Sequence, residues 1–127
     1  MEHTLTTLPL STLGCPIDRT LQAVGGRWAT LIVRELLWHS PRRFGELRAR
    51  LPGISPKTLT AQLRHLEAVG VLTRHAFSEV PPRVEYRLTE RGRHLEPILL
   101  AMWEWGYDEL VPDGPNPLRM PEASDLP

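Results

Sequence analysis

The chain has 127 residues, of which 15 are Lys or Arg and 15 are Asp or Glu, so its formal net charge is zero. This length favours a single domain that buries roughly 60–70% of the surface of its unfolded chain. A lone cysteine excludes an internal disulfide and suits a reducing cytoplasm, where we expect the protein to act. The first fourteen residues lack the pattern of a secretory signal, and no segment approaches the ~20 apolar residues of a membrane span. We therefore expect no membrane contact.

The neutral total conceals two oppositely charged parts. Residues 42–93 contain ten Arg and Lys57 against five Glu, a net charge of +6, and the rest of the chain carries −6. A basic block inside a neutral chain is typical of a phosphate-binding surface flanked by segments with another task. A solvated basic face without a ligand has the same pattern, so charge alone leaves both interpretations open.

The apolar spacing of the first half of the chain predicts helices. A short helix at about 16–24 is separated by two glycines from a second helix at about 27–38, which ends before Pro41. A short third helix follows, on the spacing of Phe44, Leu47 and Leu51.

The fourth helix has the clearest start and stop signals. Ser55 is a good N-cap, Pro56 fits the first helical position and Gly70 supplies the stop, so we predict a helix over 56–69. After Gly70 the apolar residues Val84, Tyr86 and Leu88 alternate with charged ones, which indicates a half-buried strand. Residues 71–77 are its predicted hairpin partner, with two prolines at the tip.

The last predicted element is a long helix from Thr89 and Glu90 to about Leu110, bent at Pro97. Residues 111–127 contain five prolines, so we expect a disordered tail. The predicted organisation is a flexible segment at 1–14, one domain at 15–110 and the tail.

Two short helices followed at once by a hairpin make a helix-turn-helix with a wing, so the predicted fold is mainly α with a small β-hairpin. In the fourth helix the leucines at 59, 63 and 66 share the face that must be buried. The opposite face is polar, as a recognition helix requires, although an ordinary surface helix also has a polar face. That face presents Lys57, Ala61 and Arg64, with Thr58 and Thr60 on its shoulders.

Three further arginines flank this helix pair. Arg42 and Arg43 stand at the entrance of the third helix, where a helix-turn-helix commonly meets the DNA backbone. Arg83 sits beside the proline tip of the hairpin, where an arginine can enter a minor groove or bind phosphate.

The segments "CPIDRTLQAVGGRWATLIVRELL", "RRFGELRARLPGISPKTLTAQLRHLEAVGVL" and "EVPPRVEYRLTERG" closely resemble the HxlR-type, MarR-like winged-helix transcriptional regulators, from about Cys15 to Gly106. The resemblance implies a dimeric bacterial protein that binds double-stranded DNA, with the helix at 56–69 in the major groove and the hairpin as the wing. The groove-facing positions it implies are Ser55, Lys57, Thr58, Thr60, Ala61 and Arg64, and the backbone contacts are Arg42, Arg43 and Arg83.

The last helix is apolar on two stripes, one with Leu95, Ile98, Leu99 and Met102 and another with Leu100, Trp103 and Tyr107. One core covers a single stripe, so the second stripe needs a partner. The resemblance implies a homodimer formed by the first and last helices. A two-fold dimer presents two recognition helices about one DNA turn apart, which predicts a pseudo-palindromic operator. We expect a sequence-specific regulator, and a repressor.

Catalytic and metal-binding patterns are not found in the sequence. The five histidines show no paired ligand spacing, and there is no phosphate loop or nucleophile elbow, so we expect no enzyme, no metal and no cofactor. One alternative is a winged helix that contacts proteins, which would lack the steep salt dependence of DNA binding. Another is a regulator that binds a small apolar effector in a pocket lined by Trp28, Trp38, Trp103 and Trp105.

Cys15 lies at the predicted N-cap of the first helix, before Pro16. A helix N-terminus stabilises a thiolate, whereas the charge of Asp18 opposes it and Arg19 offsets that charge in part. The resemblance implies a sensor of electrophiles or oxidants, because a cysteine at the matching position has that role in some family members. A buried capping thiol is the alternative interpretation.

Overall fold

The structure of the chain, a computed structural model, describes residues 14–110. Within this range it is mainly helical with a small antiparallel sheet of strand order β1-β3-β2, which confirms the predicted fold class. The predicted tail and, apart from Gly14, the predicted flexible N-terminal segment lie outside the described residues. The elements are α1 (Pro16–Val24), α2 (Arg27–Trp38), β1 (Arg42–Arg43), α3 (Phe44–Arg50), α4 (Pro56–Ala68), β2 (Leu72–Phe77), β3 (Arg83–Leu88), α5 (Glu90–Arg93) and α6 (Glu96–Leu110).

Helix α4 begins and ends at the predicted signals. The Ser55 hydroxyl accepts a hydrogen bond from the backbone N–H of Thr58 at 3.1 Å, and Pro56 occupies the first helical position. The helix ends before Gly70, which has a φ of +79° that a residue with a side chain rarely adopts. Local capping chemistry therefore fixes both ends of α4.

The sheet has one strand more than the predicted hairpin. The two-residue strand β1 pairs with β3, with Arg42 opposite Tyr86 and Arg43 opposite Glu85. Strands β2 and β3 pair in register from Leu72 and Leu88 to Phe77 and Arg83. Arg83 was predicted to lie in the hairpin loop, and this prediction is wrong because it is the first residue of β3. Two residues are too short for a strand period, which is why β1 leaves no pattern in the sequence.

The core joins α2, α4 and the base of the sheet. Its fully buried side chains include Ile32, Leu36, Leu59, Leu66 and Leu72. Each such side chain stabilises the fold by roughly 1.5–3 kcal/mol relative to full exposure. The core therefore holds α4 by its leucine face and leaves its other face to solvent.

One carboxylate lies inside this core. Glu35 of α2 is only 1% exposed, and its two oxygens lie 3.2 Å from the Arg34 guanidinium and 3.3 Å from the Arg50 guanidinium. A buried charge is tolerated when it is paired in this way. The Arg50 contact ties α2 to α3, the first helix of the helix pair.

The long final helix predicted from Thr89 to Leu110 is wrong in one respect, because a turn at His94 and Leu95 divides it into α5 and α6. Pro97 has no N–H to donate to the carbonyl four residues earlier, at Arg93, so the helix is interrupted there instead of bent. At Gly92 in α5, a Cβ atom would lie 2.2 Å from the Val71 carbonyl oxygen, so α5 packs against the base of the wing only because residue 92 has no side chain.

The faces of α6 differ from the two predicted stripes. Leu99 is buried, and Trp103 contacts Trp38 of α2 edge to face with ring centroids 6.2 Å apart. Ile98, Met102 and Trp105 are 45%, 54% and 62% exposed. Ile98 and Met102 line a cleft together with Leu99 but stay exposed, whereas Leu99 and Trp103, four residues apart, define the face on the core. The residues that face the core therefore come from both predicted stripes.

Candidate nucleic-acid interface

The solvent face of α4 is polar and carries two free cations. Lys57, Ala61 and Arg64 are exposed, whereas Thr58 and Thr60 on the shoulders are half-buried. Within residues 14–110, neither Lys57 nor Arg64 has a carboxylate within ion-pair distance. Small and cationic side chains on an open helix face are what close approach to a phosphate-lined groove requires.

The N-terminus of α4 is capped by the Ser55 hydroxyl, which is also hydrogen-bonded to the Thr58 hydroxyl. Ser55 Oγ donates to Thr58 Oγ1 at 2.9 Å and accepts from the Thr58 backbone N–H at 3.1 Å. The Ser55 hydroxyl hydrogen is thus used within the chain. Thr58 keeps its own hydroxyl hydrogen, which can donate to an acceptor outside the protein.

The pairing of β1 separates two arginines that sequence reasoning treated as equivalent. Adjacent strand residues point to opposite faces, so Arg42 lies on the face of buried Tyr86 and Arg43 on the face of Glu85. The Arg42 side chain is only 24% exposed and pairs with the Glu46 carboxylate at 3.1 Å. Arg43 is exposed and has no carboxylate within ion-pair distance among the residues described here, although its charge helps to lower the pKa of Glu46.

Glu46 also caps α3. Its second oxygen accepts a hydrogen bond from the backbone N–H of Arg43 at 2.9 Å. This hydrogen bond, together with the charge of Arg42, lowers the pKa of the Glu46 carboxyl below its ordinary value, although partial burial acts in the opposite direction. Glu46 therefore remains ionised beside Arg42 at neutral pH.

Arg83 is also held at the wing. Its guanidinium pairs with Glu79 at 3.1 Å and lies 3.9 Å from the ring centroid of Phe77, the residue opposite it in the β-ladder. A cation over an aromatic ring is attracted to the ring face. Arg83 is therefore pre-positioned at the end of β3 where the strand meets the wing tip.

Two carboxylates of this surface were missed by the sequence reasoning. Glu46 follows Arg42 by four residues, and Glu79 precedes Arg83 by four. This spacing was the available signal. The structure brings Arg42, Arg43 and Arg83 onto one sheet, and the β2 strand of that sheet packs against α4.

Cys15 lies at the start of α1 with extended backbone, as predicted. The residue is half-buried, and its thiol makes no hydrogen bond to the N–H groups of the first turn. The alternative interpretation as a buried capping thiol is therefore wrong. Asp18, predicted to oppose a thiolate, accepts a hydrogen bond from Gln22 at 2.9 Å.

The four tryptophans do not surround one pocket. Trp38 and Trp103 contact each other, whereas Trp105 lies on another face of α6, in an open apolar groove with Pro97 and Met102. Side chains two residues apart on a helix point in directions about 200° apart, so Trp103 and Trp105 cannot line the same cavity. The predicted tryptophan-lined effector pocket is wrong.

Between Gly14 and Leu110, no group of three or more His, Cys, Asp and Glu side chains is arranged to hold a metal ion. None of the helices in this range is both long and apolar enough to cross a membrane.

Residues 23–113 match the family described as HxlR-like helix-turn-helix. The chain is 47% identical over 93 residues to the HTH-type transcriptional regulator YybR of Bacillus subtilis (strain 168), an alignment that covers 73% of this chain and 74% of the relative. The solved structure of the redox regulator HypR in its oxidised form is 45% identical with a TM-score of 0.70, covering 75% of this chain and 97% of that chain. The reduced form of the transcriptional regulator YodB from B. subtilis is 33% identical with a TM-score of 0.69, covering 79% and 98%. These relatives are regulators and not enzymes, and the chain belongs to the HxlR-like helix-turn-helix family of transcriptional regulators.

Proposed function

We propose that the chain is a sequence-specific DNA-binding regulator that acts as a homodimer, with α4 in the major groove and the β2–β3 hairpin as the wing. The observation that carries the proposal is the face of α4, where Lys57 and Arg64 are exposed and unpaired among the described residues while the leucine face is locked into the core. Base contacts come from the N-terminal turns of such a helix, and cations around it bind phosphate.

The nine predicted contact residues fall into groups that differ in charge, size and ion pairing. Arg43, Lys57 and Arg64 are free cations and are the proposed phosphate contacts. Thr58, Thr60 and Ala61 are small enough to lie against base edges, and the role of Ser55 is to cap the helix that presents them. Arg42 and Arg83 reach phosphate after exchanging their carboxylate partners for it.

The homodimer is proposed to form on an apolar surface shared by α1 and α6. Ile17 and Leu21 of α1 and Ile98 and Met102 of α6 are exposed and line a common cleft of about 230 Å³. We call these four residues the dimer face. A second copy suits this face because it continues along α6 to Trp105, beyond what one domain covers. Two recognition helices related by a two-fold axis read a pseudo-palindromic operator.

Selection of bound sequences from random DNA duplexes tests this function. The expected result is enrichment of a two-fold site whose half-sites lie about one helical turn apart, with affinity that falls steeply as salt rises. Binding without a preferred sequence would indicate an architectural DNA-binding protein instead of a sequence-specific regulator. Absence of DNA binding at low salt would favour the protein-contact module.

We further propose that the regulator is a repressor released by oxidants or electrophiles that react with Cys15. The support is a half-buried thiol that caps nothing, at the start of a helix that carries part of the dimer face, and the likeness to a solved structure named as a redox regulator. Cys15 precedes the residues matched by the family, so this role rests on those two observations. No second cysteine is present, so a two-electron oxidant such as diamide yields an intersubunit disulfide or a mixed disulfide, and an electrophile yields an adduct on the sulfur.

The Cys15→Ser variant tests the sensor separately from DNA binding. The variant is expected to bind the selected operator as the wild type does, and diamide is expected to weaken only the wild-type complex. A wild-type complex that survives diamide would remove the sensor role and leave the DNA-binding proposal intact.

A further inference from the structure

His65 makes a contact that joins two helices with different proposed tasks. It lies near the end of α4, and its ring nitrogen Nε2 is 3.0 Å from the carbonyl oxygen of Gln22 and 2.9 Å from that of Ala23, both in the last turn of α1. Among residues 14–110, it is the only side chain of α4 that hydrogen-bonds to α1. The contact spans more than forty residues of sequence.

The chemistry of this contact is set by its acceptors. A backbone carbonyl oxygen can only accept, so Nε2 carries the hydrogen and shares it between the two oxygens. These carbonyls belong to the end of a helix, where the last four are left without partners in the helix and carry partial negative charge. The next carbonyl, that of Val24, accepts from the Thr30 hydroxyl of α2. The end of α1 is thus fastened to α4 by His65 and to α2 by Thr30.

His65 lies on α4 between the face proposed to bind DNA and the face buried in the core. Arg64, the residue before it, is one of the free cations of the DNA-facing side, and Leu66, the residue after it, is fully buried. His65 therefore sits on the flank between the two faces. A change in the angle between α1 and α4 at this point moves the end of α4 that carries Arg64.

We propose that His65 is a positioning residue that fixes the angle between the dimer helix α1 and the recognition helix α4, and so sets the spacing of the two recognition helices in the dimer. The proposal rests on the proposed function. His65 is exposed, so its removal leaves the leucine core of α4 intact. Loss of the His65 side chain is expected to lower affinity for the full operator, which needs both half-sites, and to leave affinity for one half-site nearly unchanged.

The test compares affinity for the full operator with affinity for an isolated half-site. His65→Met removes the donor and keeps the bulk of the side chain, and His65→Gln keeps a donor at a similar reach. For His65→Met, we expect half-site affinity within twofold of the wild type and a loss of at least fivefold on the full operator, the lower end of typical coupling between two sites. His65→Gln is expected to recover most of that loss.

The matched control is Arg91→Met. Arg91 donates to the carbonyl of Val69 at the end of the same helix α4 at 2.9 Å but does not contact α1 through a hydrogen bond. This variant is expected to leave the ratio of full-operator to half-site affinity unchanged.

Three results overturn the proposal. His65→Met could bind the full operator as the wild type does. It could also lose affinity for the full operator by no more than the square of its loss on the half-site, which would make the role of His65 purely local because each protomer contributes one such loss. Arg91→Met could also lower the ratio as much as His65→Met does, which would show a general effect of loosening α4. A wild-type protein that selects no DNA sequence refutes the proposed function and this inference together, whereas an operator bound equally by His65→Met refutes the inference alone.

Discussion

Replacement of Arg64 by glutamine is the sharpest test of the DNA-facing side of α4. The side chain is exposed and lacks a carboxylate partner in the described part of the chain, so the change removes one charge without freeing another. Glutamine is a good helix former, so α4 is expected to keep its stability. The variant therefore reports on phosphate binding and not on folding.

The size of the effect follows from the number of free cations. Each protomer contributes Arg43, Lys57 and Arg64, which makes six in a dimer. The six phosphates bound by these cations contribute about −5.4 to the slope of log affinity against log salt, and removing Arg64 from both protomers reduces this contribution to about −3.6. Between 50 and 200 mM salt, this contribution alone lowers wild-type affinity roughly 1,800-fold and that of Arg64→Gln roughly 150-fold.

Fluorescence anisotropy of a labelled operator duplex, titrated at four or more salt concentrations, measures both slopes. Arg27→Gln is the control, since Arg27 is an exposed arginine at the start of α2, outside the basic block, and its guanidinium stacks on Trp28. An unchanged slope in Arg64→Gln would refute the phosphate role. If the base preference changed instead, Arg64 would be a base-reading residue.

Three other variants test the cap, the charge pairs and the dimer. Ser55→Ala removes the cap on Thr58 and should cost about 1 kcal/mol, lowering the Tm followed by circular dichroism by roughly 4–8 °C. Glu46→Gln releases Arg42 and should strengthen operator binding at fixed salt. Because folding lowers the pKa of Glu46, its carboxylate stabilises the fold above pH 4.5, and this contribution is lost as the pH falls. The urea midpoint of the variant should therefore depend less on acid pH than that of the wild type. Met102→Glu puts a charge into the dimer face and should shift sedimentation at micromolar concentration from dimer to monomer; a stable Met102→Glu dimer would place the interface elsewhere.

The elements that the sequence predicted well are those governed by local chemistry. The serine cap, the first-turn proline and the terminal glycine of α4 act within a few residues of the helix, so their effect can be read without knowing the fold. The alternation in β3 likewise predicted a strand that the structure contains. The sequence predicted a bend at Pro97 but not the break between α5 and α6, because a proline marks a disrupted helix without showing whether it bends or ends.

The parts that could not be predicted depend on contacts between distant residues. Arg42 and Arg43 look alike in sequence, and only the pairing of β1 with β3 places them on opposite faces. The hydrogen bonds from His65 to α1 have no local signature, since the partners are carbonyl groups that every residue has. The sequence could not show which residues of α6 stay exposed, because the residue that packs on the core depends on the position of Trp38 in α2.

The two ion pairs at the edge of the proposed interface affect how the protein would search a genome. Arg42 and Arg83 are each neutralised by a carboxylate four residues away, and a surface pair of this kind is worth only about 0–1 kcal/mol. Random DNA that the protein meets briefly must displace these carboxylates before it gains either arginine. A fully docked site makes the exchange together with the contacts of α4. For the proposed DNA-binding function, the internal carboxylates would thus lower retention on unrelated DNA, shorten each unproductive encounter and leave more of the protein free to find its operator.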